Sequence, residues 1–232
     1  MISHKRKCVF VHIPKCAGQS IESVFVNDAG LTWDDRAPLL LRPNANNRVG
    51  PPFLAHLTYS EYLKYWYISQ DLMDSYYVFT VTRNPYSRIE SIYRYLGYSN
   101  AMTFKKFVME VVPQQVKPGS GSFFFYRPQI DFLVDTDGEI AVNEIFRLEK
   151  LGEVLPAINR LGIDLDALPH VNKTESKNFI KTIGRRFRLA RRGHGAWSIA
   201  IDGEVRWDRE SREMINELYR SDFDRLGYES IQ

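Results

Sequence analysis

Short β-branched and aromatic runs alternate along the chain with stretches whose apolar residues recur every three or four positions. Cys8–Val11 (CVFV) predicts a short buried strand. HIPKCAGQS follows as a loop. Ile21, Val24 and Phe25 then fall at helical spacing, so a helix is expected to begin near Gln19 or Ser20. Residues 76–82 (YYVFTVT) predict a second strand. Pro85 suits the first turn of a helix, and Ile89, Ile92, Tyr93 and Leu96 give the i, i+3, i+4, i+7 pattern of an amphipathic one.

The remaining segments are read in the same way. Residues 30–52 are rich in Pro, Asn and Arg with little periodicity, and predict a long surface excursion. A short helix is expected over 59–67 and another over 104–112, before a break at PGSGS. FFFYRPQIDFLVDTDGEIAV predicts a turn at DTDG between two short extended pieces. EIFRLEKLGEVLPAINRLG predicts a strand leading into a helix, and a last helix is expected over 208–224. The N-terminal residues around His4 read as a tail. Strands alternating with helices indicate an α/β fold with a mostly parallel sheet flanked by helices. A length of 232 residues suits one core, and the expectation is a single domain over 1–232.

A formal charge of +3 favours an anionic ligand without calling for a nucleic acid. Cys8 and Cys16 lie eight residues apart across a strand and its loop, too far for a disulfide in an extended chain. That usage suits a reducing compartment. The first apolar stretch is interrupted by His12, and no window is long enough for a signal peptide or a membrane span. The expected setting is cytoplasmic, with no membrane partner.

The candidate chemistry lies in two places. In HIPKCAGQS, Ala17 and Gly18 let backbone N–H groups approach a ligand closely. The helix starting there adds unpaired N–H groups and a positive dipole end. Lys15 supplies a full charge, Ser20 a hydroxyl, and Cys16 and Gln19 complete the loop. Together these suit a phosphate or sulfate. The lysine precedes the glycine, and no glycine opens the loop, so this is not the G-x-x-x-x-G-K-[ST] loop of P-loop kinases. The second place is the end of the 76–82 strand. There Arg83 can grip a phosphate with two N–H bonds, and Ser91, eight residues on, can add a hydroxyl. Ser91 falls with Ser87 and Arg88 on a side of the helix away from its apolar stripe. No metal-ligand spacing is visible.

Taken together, FVHIPKCAGQS and RNPYSRIESIY resemble the two signatures of sulfotransferases that use 3′-phosphoadenosine 5′-phosphosulfate (PAPS). The nearest branch is that of carbohydrate and heparan-sulfate 2-O enzymes. RPQIDFLVD, FRLEKL, HVNKT and DFDRLGY resemble later stretches of that branch more loosely. The resemblance implies a P-loop-like nucleotide-binding fold, with PAPS as donor and PAP as product. The first loop would hold the 5′-phosphosulfate, and Arg83 with Ser91 the 3′-phosphate. Cys16 and Gln19 depart from the family's commoner Thr and Thr or Ser. Cys16 has two readings: a thiol activated by Lys15 and the helix start, or a small residue that fits.

Sulfuryl transfer needs the donor held in line, the leaving oxygen stabilised and the acceptor hydroxyl deprotonated. Lys15 is the candidate for the leaving oxygen. His56, in FLAHLTYSEY, is the candidate base, since neutral imidazole accepts a proton near pH 7. This segment resembles the one carrying the catalytic histidine of 2-O enzymes. His12 reads as structural, His170 and His194 sit in late loops, and Glu61 is an alternative base. Phe123–Tyr126 with Arg127 and Gln129 could line a groove for a carbohydrate acceptor or belong to the core. Residues 181–192 hold six basic residues and no acid, either a solvated face or an anionic track. Within them and just beyond, Arg191, Arg192 and Gly193 resemble a 3′-phosphate clamp of cytosolic sulfotransferases. A P-loop ATP kinase and a basic nucleic-acid- or polyanion-binding module are the alternative functions.

Overall fold

The structure is a computed structural model and describes residues 1–169 and 203–232. Among the described residues, four strands form one sheet in the order β1 (Ile2–Ser3), β2 (Cys8–Val11), β3 (Tyr77–Thr82) and β4 (Glu144–Arg147). β2, β3 and β4 are parallel, with Phe10 opposite Phe79 and Thr80 opposite Ile145. β1 is antiparallel to β2. All of β2 and nearly all of β3 is buried, as expected of central parallel strands covered by helices. The mixed α/β architecture matches the expectation, with the edge strand β1 added. The N-terminal residues are therefore not a tail. The Met1 amine donates to the Phe10 carbonyl at 2.9 Å and to the Tyr62 hydroxyl, and His4 Nδ1 bonds the Tyr76 hydroxyl at 2.8 Å.

Helix α1 (Gly18–Asp28) follows β2 and buries Ile21, Val24 and Phe25. After the 30–52 excursion, which holds short 3₁₀ turns and an isolated bridge from Pro43 to Phe53, come α2 (Tyr59–Lys64) and α3 (Gln70–Ser75). α4 (Pro85–Tyr95) follows β3. Asn84 caps it by accepting from the Tyr86 and Ser87 N–H groups, with Pro85 at the first position. α5 (Phe104–Lys106) runs through a π segment into α6 (Val112–Gln115). Among the described residues, no helix is long and apolar enough to cross a membrane.

Two expectations are corrected. Phe123–Tyr126 is a helix, α7, followed by a 3₁₀ turn at Ile130–Phe132. Only the bridge Val134–Ile140 survives of the two extended pieces about DTDG. The cause is tertiary. The buried carboxylate of Asp222 accepts from the Gln129 and Ile130 N–H groups, both at 2.9 Å, and holds that backbone in a turn. After α8 (Leu155–Arg160), the last helix is two, α9 (Arg209–Leu218) and α10 (Arg220–Leu226). Tyr219 leaves helical geometry between them and sends its hydroxyl to the Tyr126 carbonyl at 2.7 Å.

Arg88, which falls on a side of α4 away from the apolar stripe, is 1% exposed. Its guanidinium donates to the carbonyls of Pro14 (3.2 Å), Arg127 (3.0 Å) and Phe125 (2.8 Å). One side chain thus ties α4 to the loop after β2 and to the end of α7. Arg88→Met keeps the length and removes the charged donor from three carbonyls, of which that of Pro14 keeps only the weak Cys16 thiol contact. It is expected to destabilise the fold by about 3 kcal/mol or more, read from urea unfolding, with Arg88→Lys recovering part of the loss.

Candidate functional site

The loop from β2 to α1 is bent by two non-glycine residues in the left-handed region, Lys15 (φ 71°) and Ala17 (φ 58°). Such outliers cost free energy and concentrate at ligand clamps. Ala17 is the N-cap of α1, and no side chain caps the helix, so the first-turn N–H groups of Gly18 and Gln19 have no intrahelical acceptor. The loop carbonyls are turned away and occupied: that of Pro14 by Arg88, and that of Lys15 by Arg83 Nη1 at 3.3 Å. An uncapped helix start beside two cations is an anion-binding arrangement.

Gly18 has a further reason to be glycine. A Cβ there would lie 1.9 Å from His12 Nε2, so the His12 ring packs where a side chain would be. Close approach of a ligand was the reason read from the sequence; packing of His12 beneath the loop is the one the structure displays. His12 is in turn fixed by Glu22 of α1, whose Oε1 lies 2.7 Å from Nδ1, with both groups buried.

Lys15 lays its ammonium 3.6 Å from the centre of the Tyr95 ring. Burial, with the positive Arg83 nearby, lowers its pKa to about 8. Arg88, Ser91 and Tyr95 are three and four residues apart on α4 and so share one face. Since Arg88 touches Pro14 and Tyr95 touches Lys15, that face meets the loop and carries half-buried Ser91 to it. Arg83 is positioned by Gln129, whose side-chain amide accepts from the Arg83 N–H at 2.9 Å and donates to its carbonyl at 2.8 Å.

His56 follows the excursion in a 3₁₀ turn just before α2. Its Nδ1 is 3.1 Å from the His12 carbonyl, and its ring meets the His12 ring at 4.5 Å. A carbonyl can only accept, so Nδ1 carries the proton and Nε2 of the neutral ring is an acceptor. Burial, reinforced by His12, holds the His56 pKa well below 6.5. The ring stacks on Phe124 at 5.6 Å and approaches Phe125 at 6.3 Å. Phe125 lies 5.9 Å from Tyr95, so an aromatic wall runs from His56 to the ring under Lys15.

Several expected roles change. Cys16 is 1% exposed, and its thiol lies 3.4 Å from Gln129 Oε1. Burial pushes it up to about 12, the reverse of an activated thiol, so Cys16 is the small residue that fits. Gln129 is fully buried and holds the site together rather than lining an acceptor groove. Phe125 and Tyr126 belong to the core, which leaves Phe123 and Phe124 half-buried. Glu61 closes the capping box of α2 on Thr58, with its Oε1 3.4 Å from Arg127. Gln19 is exposed and Ser20 half-buried at the loop's mouth. His170, His194, the 181–192 run and the clamp of Arg191, Arg192 and Gly193 lie outside the described residues. Sequence reasoning missed Glu22, Tyr95 and the contacts of Arg88. The spacing 88, 91, 95 on one helix face was the available signal for the last two.

A family model described as "Sulfotransferase family" matches residues 1–229. No curated protein matches the chain, and no solved structure does.

Gly18→Ala is expected to force the His12 ring aside and to cost about 1 to 3 kcal/mol. Adding His12→Ala should recover part of that loss. A double-mutant cycle by chemical denaturation measures the coupling; strictly additive effects would contradict the contact.

Proposed function

We propose that this chain, which belongs to the sulfotransferase family, moves the sulfuryl group of PAPS to a carbohydrate hydroxyl in the manner of the 2-O branch, with His56 as general base. Sulfotransfer is what the family does; the donor, the acceptor and the residue roles are the reading advanced here. The observation that carries it is the hydrogen bond from His56 Nδ1 to the His12 carbonyl, which leaves Nε2 free of its proton. In the reaction, the acceptor oxygen attacks sulfur and gives its proton to His56 Nε2. The bond from sulfur to the 5′-phosphate oxygen breaks, and that oxygen departs with its charge on PAP.

Lys15 is proposed to neutralise the departing oxygen. Its lowered pKa reflects a cation held in a buried place beside Arg83, a cost that a bound polyanion would offset. The N–H groups of Gly18 and Gln19, with Ser20, are proposed to hold the 5′ end of the donor, and Arg83 with Ser91 the 3′-phosphate. The neutral partners of the two cations, a carbonyl for Arg83 and a ring for Lys15, are readily exchanged for phosphate oxygens. Glu61, engaged by Thr58 and Arg127, is the weaker candidate base. The chain is also proposed to act as one domain in the cytoplasm.

Arg83→Ala is expected to weaken PAP binding by the worth of a charged hydrogen bond, about 1.5 to 3 kcal/mol, and Ser91→Ala by about 1 kcal/mol. Calorimetric titration measures both, and unchanged affinity in the arginine variant would place the 3′-phosphate elsewhere.

His56→Ala should leave PAP affinity nearly intact and lower transfer by a factor on the order of 10² to 10⁴. The pH profile follows from the two shifted groups. The base must be neutral, so activity is present above the lowered His56 pKa and lost as pH falls through it, well below 6.5. The lysine must be charged, so kcat/KM for the donor is present at lower pH and lost as pH rises through about 8. A profile rising through the neutral range would contradict this assignment.

A further inference from the structure

Lys15 is half-buried, and among the described residues no carboxylate pairs with it. The charged and titratable groups around it do little to support a cation. Arg83, just after β3, donates to the Lys15 carbonyl at 3.3 Å and is itself positive. Arg88, reaching from α4, is engaged by the Pro14 carbonyl. The neighbouring Cys16 thiol is buried and pushed up to about 12, so it stays uncharged. What meets the ammonium is the Tyr95 ring at the end of α4, 3.6 Å away at its centre. A partly desolvated cation on an aromatic face recovers some of the hydration it has lost. The ring itself is well held: Arg88 ties α4 to the loop, and Phe125 lies 5.9 Å from Tyr95.

We infer that Tyr95 is a positioning residue that seats the Lys15 ammonium, and that the donor's phosphates compete with its ring for that cation; this rests on the proposal that Lys15 serves the donor. A phosphate oxygen offers the ammonium a full negative charge, whereas the ring offers only its quadrupole, so the phosphate wins. Burial raises the Tyr95 pKa, so the phenol stays uncharged and is no rival anion. The seat keeps the lysine charged until nucleotide arrives, and it opposes nucleotide binding by the worth of the contact that is given up. Its sign is therefore the reverse of a ligand-binding residue's: removing the ring strengthens binding.

The sign depends on pH. Tyr95→Leu removes a contact that favours the charged lysine, so in the nucleotide-free protein the Lys15 pKa falls further below about 8. Below that range Lys15 is charged in both proteins, and the variant lacks the seat that competes with phosphate. Above about 8 the lysine of the nucleotide-free wild type is already neutral, and the ring has no cation to hold.

Calorimetric titration of the full chain with PAP, at about pH 6 and about pH 9, tests this on either side of the lysine's titration. At the lower pH, Tyr95→Leu is expected to bind PAP on the order of tenfold more tightly than wild type, the size of one partly desolvated cation–ring contact. At the higher pH the two should bind about equally, and Tyr95→Phe, which keeps the ring face, should match wild type at both. Unchanged or weaker binding by Tyr95→Leu at the lower pH overturns the seat, because a residue that serves the fold or touches the nucleotide weakens binding when removed. Tightening that persists at the higher pH also overturns it, since it would not depend on the lysine's charge. Proton NMR of the wild type reads the same contact without a variant at Tyr95. The Lys15 Hε protons, assigned by their loss in Lys15→Arg, should lie upfield over the ring and move downfield when PAP saturates the protein; protons that stay upfield with PAP bound overturn the competition. Wild-type protein with no affinity for PAP overturns the donor reading, and the competition with it.

Discussion

The guanidinium of Arg88 sits inside the protein and donates to the carbonyls of Pro14, Phe125 and Arg127. A buried charge is tolerated only when its donors are used, and here they are used on two segments that β2 and α7 would otherwise leave independent. The loop's carbonyl is pulled toward α4, which leaves the N–H groups at the start of α1 for a ligand. The same pull sets the end of α7, which presents Phe124 and Phe125 to His56. Gln129 and Asp222 repeat this logic one layer further in. Asp222 fixes the backbone of 129 and 130, and Gln129 fixes that of Arg83. The late RPQID and DFDRLGY segments thus act on the site through backbone placement.

A second line of support runs beneath the loop. Glu22 holds the His12 ring, Gly18 leaves room for it, and the His12 carbonyl sets the tautomer of His56. On the proposed reading, the donor loop and the base are therefore parts of one structure. A disturbance at Gly18 reaches the base through His12 without any direct contact between Gly18 and His56. The lowered pKa values of His56 and Lys15 have one common cause, burial against the aromatic wall and the loop. Their effects are opposite in sign, since one group works neutral and the other charged.

Much of this was legible in the residues. The β2 and β3 runs, the α1 and α4 periodicities and the two signature loops are local patterns, and the structure follows them. What failed was set by distant partners. Residues 123–132 look extended until Asp222 is placed against them, and 208–224 looks like one helix until Tyr219 turns inward to the Tyr126 carbonyl. Cys16 beside a lysine and a helix start leaves two readings open, and burial, which no local pattern reveals, decides for the small residue that fits. The burial of Arg88 is not legible locally, because its three acceptors lie 37 to 74 residues away in the chain.

The central claim is that the loop at Lys15, Arg83 just after β3 and Ser91 on α4 form one nucleotide site built for a 3′-phosphate. The most direct measurement compares the affinity of the intact protein for PAP, for adenosine 5′-phosphate and for magnesium–ATP. A charged hydrogen bond of about 1.5 to 3 kcal/mol to the extra phosphate predicts that PAP binds roughly ten- to a hundredfold more tightly than adenosine 5′-phosphate. Equal affinity for those two nucleotides, or tighter binding of magnesium–ATP than of PAP, would contradict the account.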